Sequence, residues 1–288
     1  MVKIDIFCPL YNAEKYLKNL NRAVICQECQ YSFNVCYILT ESTDSTEEIL
    51  ISEKCKYYVI SKNSFSHSLV RENAARSSKA DIIVFISQDI QIANNHWLNN
   101  LVSPIVNKLV AATYSRQISK YNNIEKYIRE YNYPQETSIK SISDINDLGL
   151  YTFFFSDVSS AIDRKVFEEL NYYDHKKLTI SEDMYIAYKL IMNNHKIQYC
   201  ADSVVYHSHY YSLKQLYERY KFTGIFFSEN SYLNKYSKNN AGKDLALYVL
   251  KRAFRDLNLK VLFRIIPDML ARLFGMYVGK SLALYLKK

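Results

Sequence analysis

The chain has 288 residues and 33.9 kDa, room for one large α/β domain or a catalytic domain with an appendage. With 49% hydrophobic and 23% charged residues, its composition is that of a folded globular protein and excludes a disordered one. Of the net +8, ten basic and three acidic residues after position 240 carry +7, so the near-neutral body speaks against a nucleic-acid-binding surface.

Strand and helix signals alternate over the first 115 residues. The apolar run Ile4–Cys8, stopped by Pro9, reads as a strand, and Tyr16, Leu17, Leu20, Val24 and Ile25 give Glu14–Glu28 helical spacing. Phe33–Leu39 and Tyr57–Ile60 are further strands, separated by a short acidic helix at Thr46–Lys54 and followed by a helix at Ser68–Ser77. Ile82–Ile86, five β-favouring apolar residues, has the pattern of a strand buried on both faces. Trp97–Val106 is helical and Val110–Tyr114 is one more strand. The alternation predicts an α/β fold: a mostly parallel sheet flanked by helices, with a ligand crevice at the carboxyl ends of the strands.

From Lys120 to Leu148 the pattern weakens and reads as an excursion, or a partly ordered loop over the site. Order returns at Leu150–Phe155, then in helices at Arg164–Leu170 and Glu182–Met192 and short strands at Ile197–Cys200 and Val204–Tyr206. An aromatic-rich helix at Leu213–Phe227 precedes a polar break at Asn230–Gly242, and two basic amphipathic helices divided near Pro267 complete the chain. Lys3 and Asp5 interrupt the apolar stretch a secretory segment needs, and no window of about 18 apolar residues offers a spanning helix. Cys26 and Cys29 have CxxC spacing but no second pair at zinc-finger distance. With Cys8 and Cys36 in strand-like runs, the cysteines read as buried free thiols of a reducing, cytoplasmic compartment. Five glycines and no GxGxxG or GxxxxGK[ST] pattern remove the usual dinucleotide and P-loop cradles.

Four constellations carry possible chemistry, each with a plainer reading beside it. Gln88-Asp89 follows the buried strand, where a carboxylate meets phosphates through a divalent cation or merely caps the next helix. Glu182-Asp183 opens a helix, either answering its dipole or offering one carboxylate as a general base with the other held by neighbours. His207 and His209, two apart on an extended segment, face one side and suit a metal or phosphate contact. His67 and Arg71 lie on the way into a helix, where Arg71 either grips phosphate or carboxylate or pairs with Glu72 or Glu47.

Taken in order, Pro9-Leu10-Tyr11-Asn12, Ser42-Thr43-Asp44, Phe65-Ser66-His67 with Arg71, Ser87-Gln88-Asp89, Ser181-Glu182-Asp183 and His207-Ser208-His209 form one series. Over about residues 1–230 it resembles the family 2 nucleotide-sugar glycosyltransferases of the GT-A fold. Within them it is most similar to bacterial rhamnosyltransferases that build capsular, O-antigen or cell-wall polysaccharides. The resemblance implies that Pro9, Tyr11, Asn12 and Asp44 form the nucleotide edge, with His67 and Arg71 near the diphosphate or deoxysugar. Asp89 matches the last aspartate of the metal motif with Gln88 beside it, and His207 or His209 completes the shell of a Mg²⁺ or Mn²⁺ ion. Asp183 matches the catalytic base, supported by Glu182. The sequence departs from the pattern at three places. Glu41 stands one or two positions from where an acidic residue meets the base, Ser68 replaces a small residue after FxH, and Glu72 an Asn.

The implied reaction is inverting transfer of L-rhamnose from dTDP-L-rhamnose to a growing, lipid-linked glycan. A UDP-hexose donor is the alternative within the fold, and a non-catalytic glycan-binding protein the alternative outside catalysis. The expected division is a GT-A domain at 1–230 (nucleotide-sugar half 1–115, acceptor and catalytic half 116–230) and a basic helical tail at 241–288. In that tail Leu247, Leu250, Phe254 and their successors recur at helical spacing among Lys and Arg. Such helices either pack on the catalytic domain or bind the inner face of the cell membrane.

Overall fold

The computed structural model describes residues 1–238 and 241–286; Asn239 and Asn240 of the expected polar break, and Lys287 and Lys288 of the expected tail, lie outside the described residues. The first part of the chain gives β1 (Lys3–Leu10), α1 (Glu14–Ile25), β2 (Ser32–Thr40), α2 (Thr46–Ser52), β3 (Tyr57–Ile60), α3 (His67–Ser77) and β4 (Ile82–Ile86). These strands pair in parallel in the order β3-β2-β1-β4, as strands joined by crossover helices do. In β4, Ile82, Val84 and Ile86 enter the core on one face of the sheet and Ile83 and Phe85 the core on the other. β1 runs through Pro9, past its expected end. Its pairing with β4 stops at Phe7 while pairing with β2 continues to Leu10, so at Pro9 there is no β4 ladder for a missing N–H to interrupt. The strand order reverses at β1, and the crevice opens there.

Beyond β4 come β5 (Gln91–Ile92), α4 (Trp97–Val106), β6 (Ala112–Ile118), α5 (Ile124–Asn132), β7 (Ser138–Lys140), α6 (Ile145–Leu148), β8 (Ser159–Asp163), α7 (Arg164–Glu169), α8 (Glu182–Met192) and β9 (Ile197–Tyr206). Here the directions mix. β8 is antiparallel to both β4 and β6, β9 is parallel to β6, and β5 and β7 run antiparallel to β9. The two short strands expected near residue 200 are one strand, broken in register where β6 steps from Ser115 to Arg116. β8 escapes a hydrophobicity reading because its first residues are serines. Ser159 and Ser115 accept the indole N–H of Trp97 at 3.0 and 3.2 Å, which satisfies their buried hydroxyls.

The expected loop at Lys120–Leu148 is an ordered segment. Asn123 caps α5, its side-chain oxygen accepting the Glu125 N–H at 3.0 Å, and Ile124, Tyr127 and Ile128 bury one helical face. What they bury against comes from the far end of the chain: Val249 and Ala253 of α10 (Ala241–Arg255) and Val261 and Ile265 of α11 (Leu259–Leu286). The tail divides at Leu257, whose φ is +51°, and not at Pro267, which lies inside α11. A mid-helix proline costs about 3 kcal/mol. Packing on both sides of it holds the helix together: Val261 and Ile265 on α5, Gly275 and Gly279 on α9 (Leu213–Glu229). A β-carbon on Gly279 would lie 1.9 Å from the Lys221 carbonyl oxygen, and one on Gly224 2.3 Å from that of Met276. The two backbones touch, as at small-xxx-small crossings. No helix among the described residues is long and apolar enough to cross a membrane. All six cysteines are free; Cys8, Cys36 and Cys200 are buried as expected, whereas Cys26 is exposed.

Candidate active site

A cavity of about 910 Å³ lies at the switch point, walled by the ends of β1 and β4, the start of α8, the segment after β9, and helices α5, α9 and α11. Of the residues singled out above, Pro9, Tyr11, His67, Arg71, Gln88, Asp89, Glu182, Asp183, His207 and His209 line it. Asn12, Glu41 and Asp44 stand behind its wall. The Asn12 side chain accepts the Thr43 N–H at 2.9 Å, and Asp44 accepts the Glu14 N–H at 3.1 Å and the Thr46 hydroxyl at 2.5 Å. These bonds knit the turn after β1 to the turn after β2. Glu41 accepts the Lys62 N–H at 3.3 Å on the outside. Gln88 grips Tyr11 in both directions, accepting its N–H at 2.8 Å and donating to its carbonyl at 3.0 Å. Its amide is occupied in fixing the β1 turn.

At one end of the cavity, Asp89 Oδ2 lies 3.5 Å from His207 Nε2 and 3.7 Å from His209 Nε2. The network behind His207 orients its ring. Gln117 Nε2 donates to Ser156 at 2.8 Å, so Gln117 Oε1 receives Arg129 at 2.5 Å and faces His207 Nδ1 at 3.0 Å. Arg129 Nη2 lies 3.5 Å from the same Nδ1, and Nε2 faces Asp89. Burial lowers His207 to about 4, despite the Asp89 carboxylate, so the ring is neutral at pH 7. Burial pulls Asp89 upward, but its contacts with His207 and His209 outweigh that and leave it below its ordinary value. An ionised carboxylate thus faces two neutral imidazoles, with ligand atoms all within 4.8 Å of one another. One carboxylate and two imidazoles held this close offer the ligand atoms a divalent cation needs, and the two imidazoles suit a first-row transition ion such as Mn²⁺ better than the oxygen-seeking Mg²⁺.

At the other end sits a buried charge cluster. Arg71, 4% exposed, donates to Glu182 Oε1 at 2.9 Å, lies 3.9 Å from Asp157 Oδ2, and packs its guanidinium 5.8 Å over the Phe85 ring. Its partner is the helix-opening Glu182, neither Glu72 nor Glu47. The guanidinium is committed to these carboxylates, and it is through Glu182 that it meets the catalytic region. Asp157, 1% exposed, is further fixed by Tyr173 at 2.7 Å and Ser160 at 2.8 Å. Asp183 is the third carboxylate. Burial, then the neighbouring charges of Glu182 and Asp157, push it well above the ordinary carboxylate range, although the Met184 N–H donates to it at 2.8 Å. One guanidinium pairs with two of the three carboxyl groups, and Asp183 is left without an ion pair to it.

Several wall residues were invisible to sequence reasoning. Asp157 had one signal, an acid two positions after the aromatic run Phe153–Phe155. Arg129 and Glu125 lay in the supposed loop. Arg272 reaches the cavity from α11, donating to Asp268 at 2.5 Å and to the Tyr220 hydroxyl at 2.7 Å.

The architecture has counterparts among solved structures. The mannosyltransferase PcManGT from Pyrobaculum calidifontis, in complex with GDP-Man and Mn²⁺, superposes with a TM-score of 0.60 at 13% identity, covering 99% of this chain and 88% of its own. S. aureus TarS gives 0.58 at 15% identity over 97% of this chain, which spans only 55% of TarS. The fold is the GT-A fold of the glycosyltransferases. Residues 5–171 match the family described as Glycosyl transferase family 2, and the chain belongs to that family. It is 32% identical over 238 residues to the O-antigen chain rhamnosyltransferase RfbN of Salmonella typhimurium, covering 81% of this chain and 75% of that one. The chain is thus a family 2 glycosyltransferase, similar to O-antigen chain rhamnosyltransferases.

Proposed function

We propose that the enzyme transfers L-rhamnose from dTDP-L-rhamnose, with inversion, to a hydroxyl of a lipid-linked polysaccharide at the inner face of the cell membrane. The observation that carries the mechanism is the opposed tuning of two carboxyls in one cavity: Asp89 below its ordinary value, Asp183 well above it. Asp183 takes the proton of the acceptor hydroxyl while that oxygen bonds to the anomeric carbon. The bond from that carbon to the diphosphate oxygen breaks, and the nucleoside diphosphate leaves with the electron pair. Asp89, His207 and His209 hold the cation, which when bound supplies neutralisation of the departing diphosphate. Arg71, paired with Glu182, holds the start of α8 and with it Asp183 in register, while Pro9, Tyr11 and Gln88 shape the donor edge and His67 its sugar side. The 32% identity to an O-antigen chain rhamnosyltransferase supports the donor.

A membrane position is favoured by the tail's outward surface. Leu247, Leu250, Phe254 and Leu257 of the α10 side, and Leu259, Phe263, Ile266 and Leu270 of α11, lie exposed in stripes beside Lys251, Arg255 and Lys260. Phe263 and Leu257 are each 80% exposed, and anionic headgroups complement the basic flanks. The test of function is Asp183→Asn. Transfer should fall by about a hundredfold or more with donor binding intact, and binding of dTDP-L-rhamnose by thermal shift should exceed that of UDP-hexoses. Turnover near the wild-type rate removes Asp183 as the base, and preference for a UDP-sugar removes the rhamnosyl donor.

A further inference from the structure

The transfer cavity, with Asp89 at one end and Asp183 at the other, is lined by five lysine and arginine side chains: Lys62, Arg71, Arg129, Arg219 and Arg272. Three of them are committed to carboxylates. Arg71 pairs with Glu182 at 2.9 Å, Arg129 with Glu125 at 3.8 Å, and Arg272 with Asp268 at 2.5 Å. Lys62 and Arg219 have no carboxylate within 4.0 Å among the described residues. Lys62 stands at the nucleotide edge, its Nζ 5.2 Å from the centre of the Tyr11 ring.

Arg219 comes from α9, where Leu216, Arg219, Tyr220 and Thr223 line the cavity at the three- and four-residue spacing of one helical face. Its guanidinium lies 5.9 Å from the centre of the Tyr211 ring, and that ring lies 5.0 Å from the ring of His209. Loss of solvent is the main force that lowers His67 and His209, and the Arg219 charge adds to it at both. The guanidinium is therefore within electrostatic reach of the donor's sugar side and of the Asp89 end at once. The side chain is exposed and tied to no acid, so it can follow a ligand.

In a bound donor, the group between those two points is the diphosphate that joins nucleoside to sugar. It carries two negative charges in the donor and gains a third as the glycosidic bond breaks, so the added charge develops in the transition state. Arg71, which the sequence placed near the diphosphate, is spent on Glu182 and Asp157. A planar guanidinium grips two phosphate oxygens at once. We propose that Arg219 is a catalytic residue for departure of the leaving group, its guanidinium binding the diphosphate as the bond to the anomeric carbon breaks and the electron pair stays on the phosphate oxygen. The assignment rests on the glycosyl-transfer reading above, but not on which sugar or base the donor carries.

The full-length enzyme is titrated calorimetrically with dTDP and with dTMP, Mn²⁺ present, as wild type, Arg219→Gln and Arg219→Lys. Arg219→Gln should weaken dTDP binding by about tenfold and leave dTMP within about twofold, because only the diphosphate reaches the guanidinium. The same contrast is expected between UDP and UMP. In transfer assays kcat should fall by about a hundredfold while the donor KM stays within about threefold, since the third charge exists only in the transition state and product. Arg219→Lys should recover part of both losses, and the melting temperature of each variant should match the wild type. An Arg219→Gln enzyme with the wild-type ratio of dTDP to dTMP affinity, or with wild-type turnover, overturns the assignment. A melting temperature that falls together with turnover overturns it too, because the role is then structural. A wild type that binds neither dTDP nor UDP removes the transfer reading itself, and this inference with it.

Discussion

Replacing Gly279 by Ala tests whether the tail is docked as the structure has it, because two effects predict opposite signs. In a helix interior Ala is favoured over Gly by about 1 kcal/mol, so propensity alone makes Gly279→Ala stabilising. Packing says otherwise. The new β-carbon would sit 1.9 Å from the Lys221 carbonyl oxygen, 2.8 Å from its carbon and 3.1 Å from the Gly224 Cα. All three are backbone atoms of α9, so none can swing aside as a side chain would. Restoring an ordinary separation moves α11 away from α9 by about 1.5 Å, and a radial gap of even 0.5–1 Å forfeits a quarter to a half of each dispersion contact. Over-packing typically costs about 1–3 kcal/mol, and backbone on both sides puts this site at the upper end. The net expectation is a loss of about 2–3 kcal/mol, a fall in melting temperature of roughly 5–10 °C for a protein of this size. Gly242→Ala is the control, since nothing lies within 4 Å of a β-carbon there. Thermal unfolding with limited proteolysis of the tail reads the result. Transfer activity should fall as well, because Arg272 on the same helix enters the transfer cavity. A Gly279→Ala protein that melts at or above the wild-type temperature refutes the docking of α11 on α9.

Asp183→Asn should stabilise the protein at neutral pH while abolishing transfer. The folded carboxyl is raised above an unfolded value near 3.9, so between about pH 4 and its folded pKa the native state holds a proton the unfolded chain lacks. Native stability therefore falls as pH rises through that window; the variant's advantage in melting temperature should grow with pH there and vanish in acid, and a pH-independent difference contradicts the raised value. Arg71→Met, which strands the Glu182 and Asp157 carboxyl groups, should cost about 3–5 kcal/mol by denaturant unfolding, and Arg71→Met/Glu182→Met should recover part of it; a loss under 1 kcal/mol means the cluster is solvated. Gln117→Leu removes the hydrogen-bond partner that orients the His207 ring and should weaken Mn²⁺ binding by about 10–100-fold in a direct titration; unchanged affinity means His207 is not a ligand.

Much of this was legible because strand patterns and loop chemistry are local. Five apolar residues in a row gave β4 with its true ends, and the acid at the strand's carboxyl end marked Asp89. The residues hidden from sequence were those whose partners are remote. Arg71 lies 111 positions from Glu182, and spacing along a helix pointed only to neighbours such as Glu72. β8 depends on Trp97 to satisfy Ser159, and α5 on a tail more than 100 residues away to cover Ile124 and Ile128. Pro267 misled for the complementary reason. A local helix breaker was outweighed by packing on both sides, while Leu257, which carries no breaking signal, took the left-handed turn.

The two ends of the transfer cavity show how one fold gives carboxyl groups opposite tasks. Both Asp89 and Asp183 lose water, which by itself raises a carboxyl pKa. Asp89 meets imidazoles that favour its charge, whereas Asp183 meets Glu182 and Asp157, which oppose it. The difference comes from the neighbours that add to or offset burial, and the single Arg71 is directed at Glu182 and Asp157 and not at Asp183. Were Arg71 turned toward Asp183, that carboxylate would be held ionised by a salt bridge and would have little tendency to accept a proton. Paired instead with Glu182 and Asp157, it neutralises the carboxylates that need no reactivity and leaves the basic one uncompensated. The cation that the Asp89 end is built to hold would complete the same logic, bringing positive charge to the leaving group and none to the base.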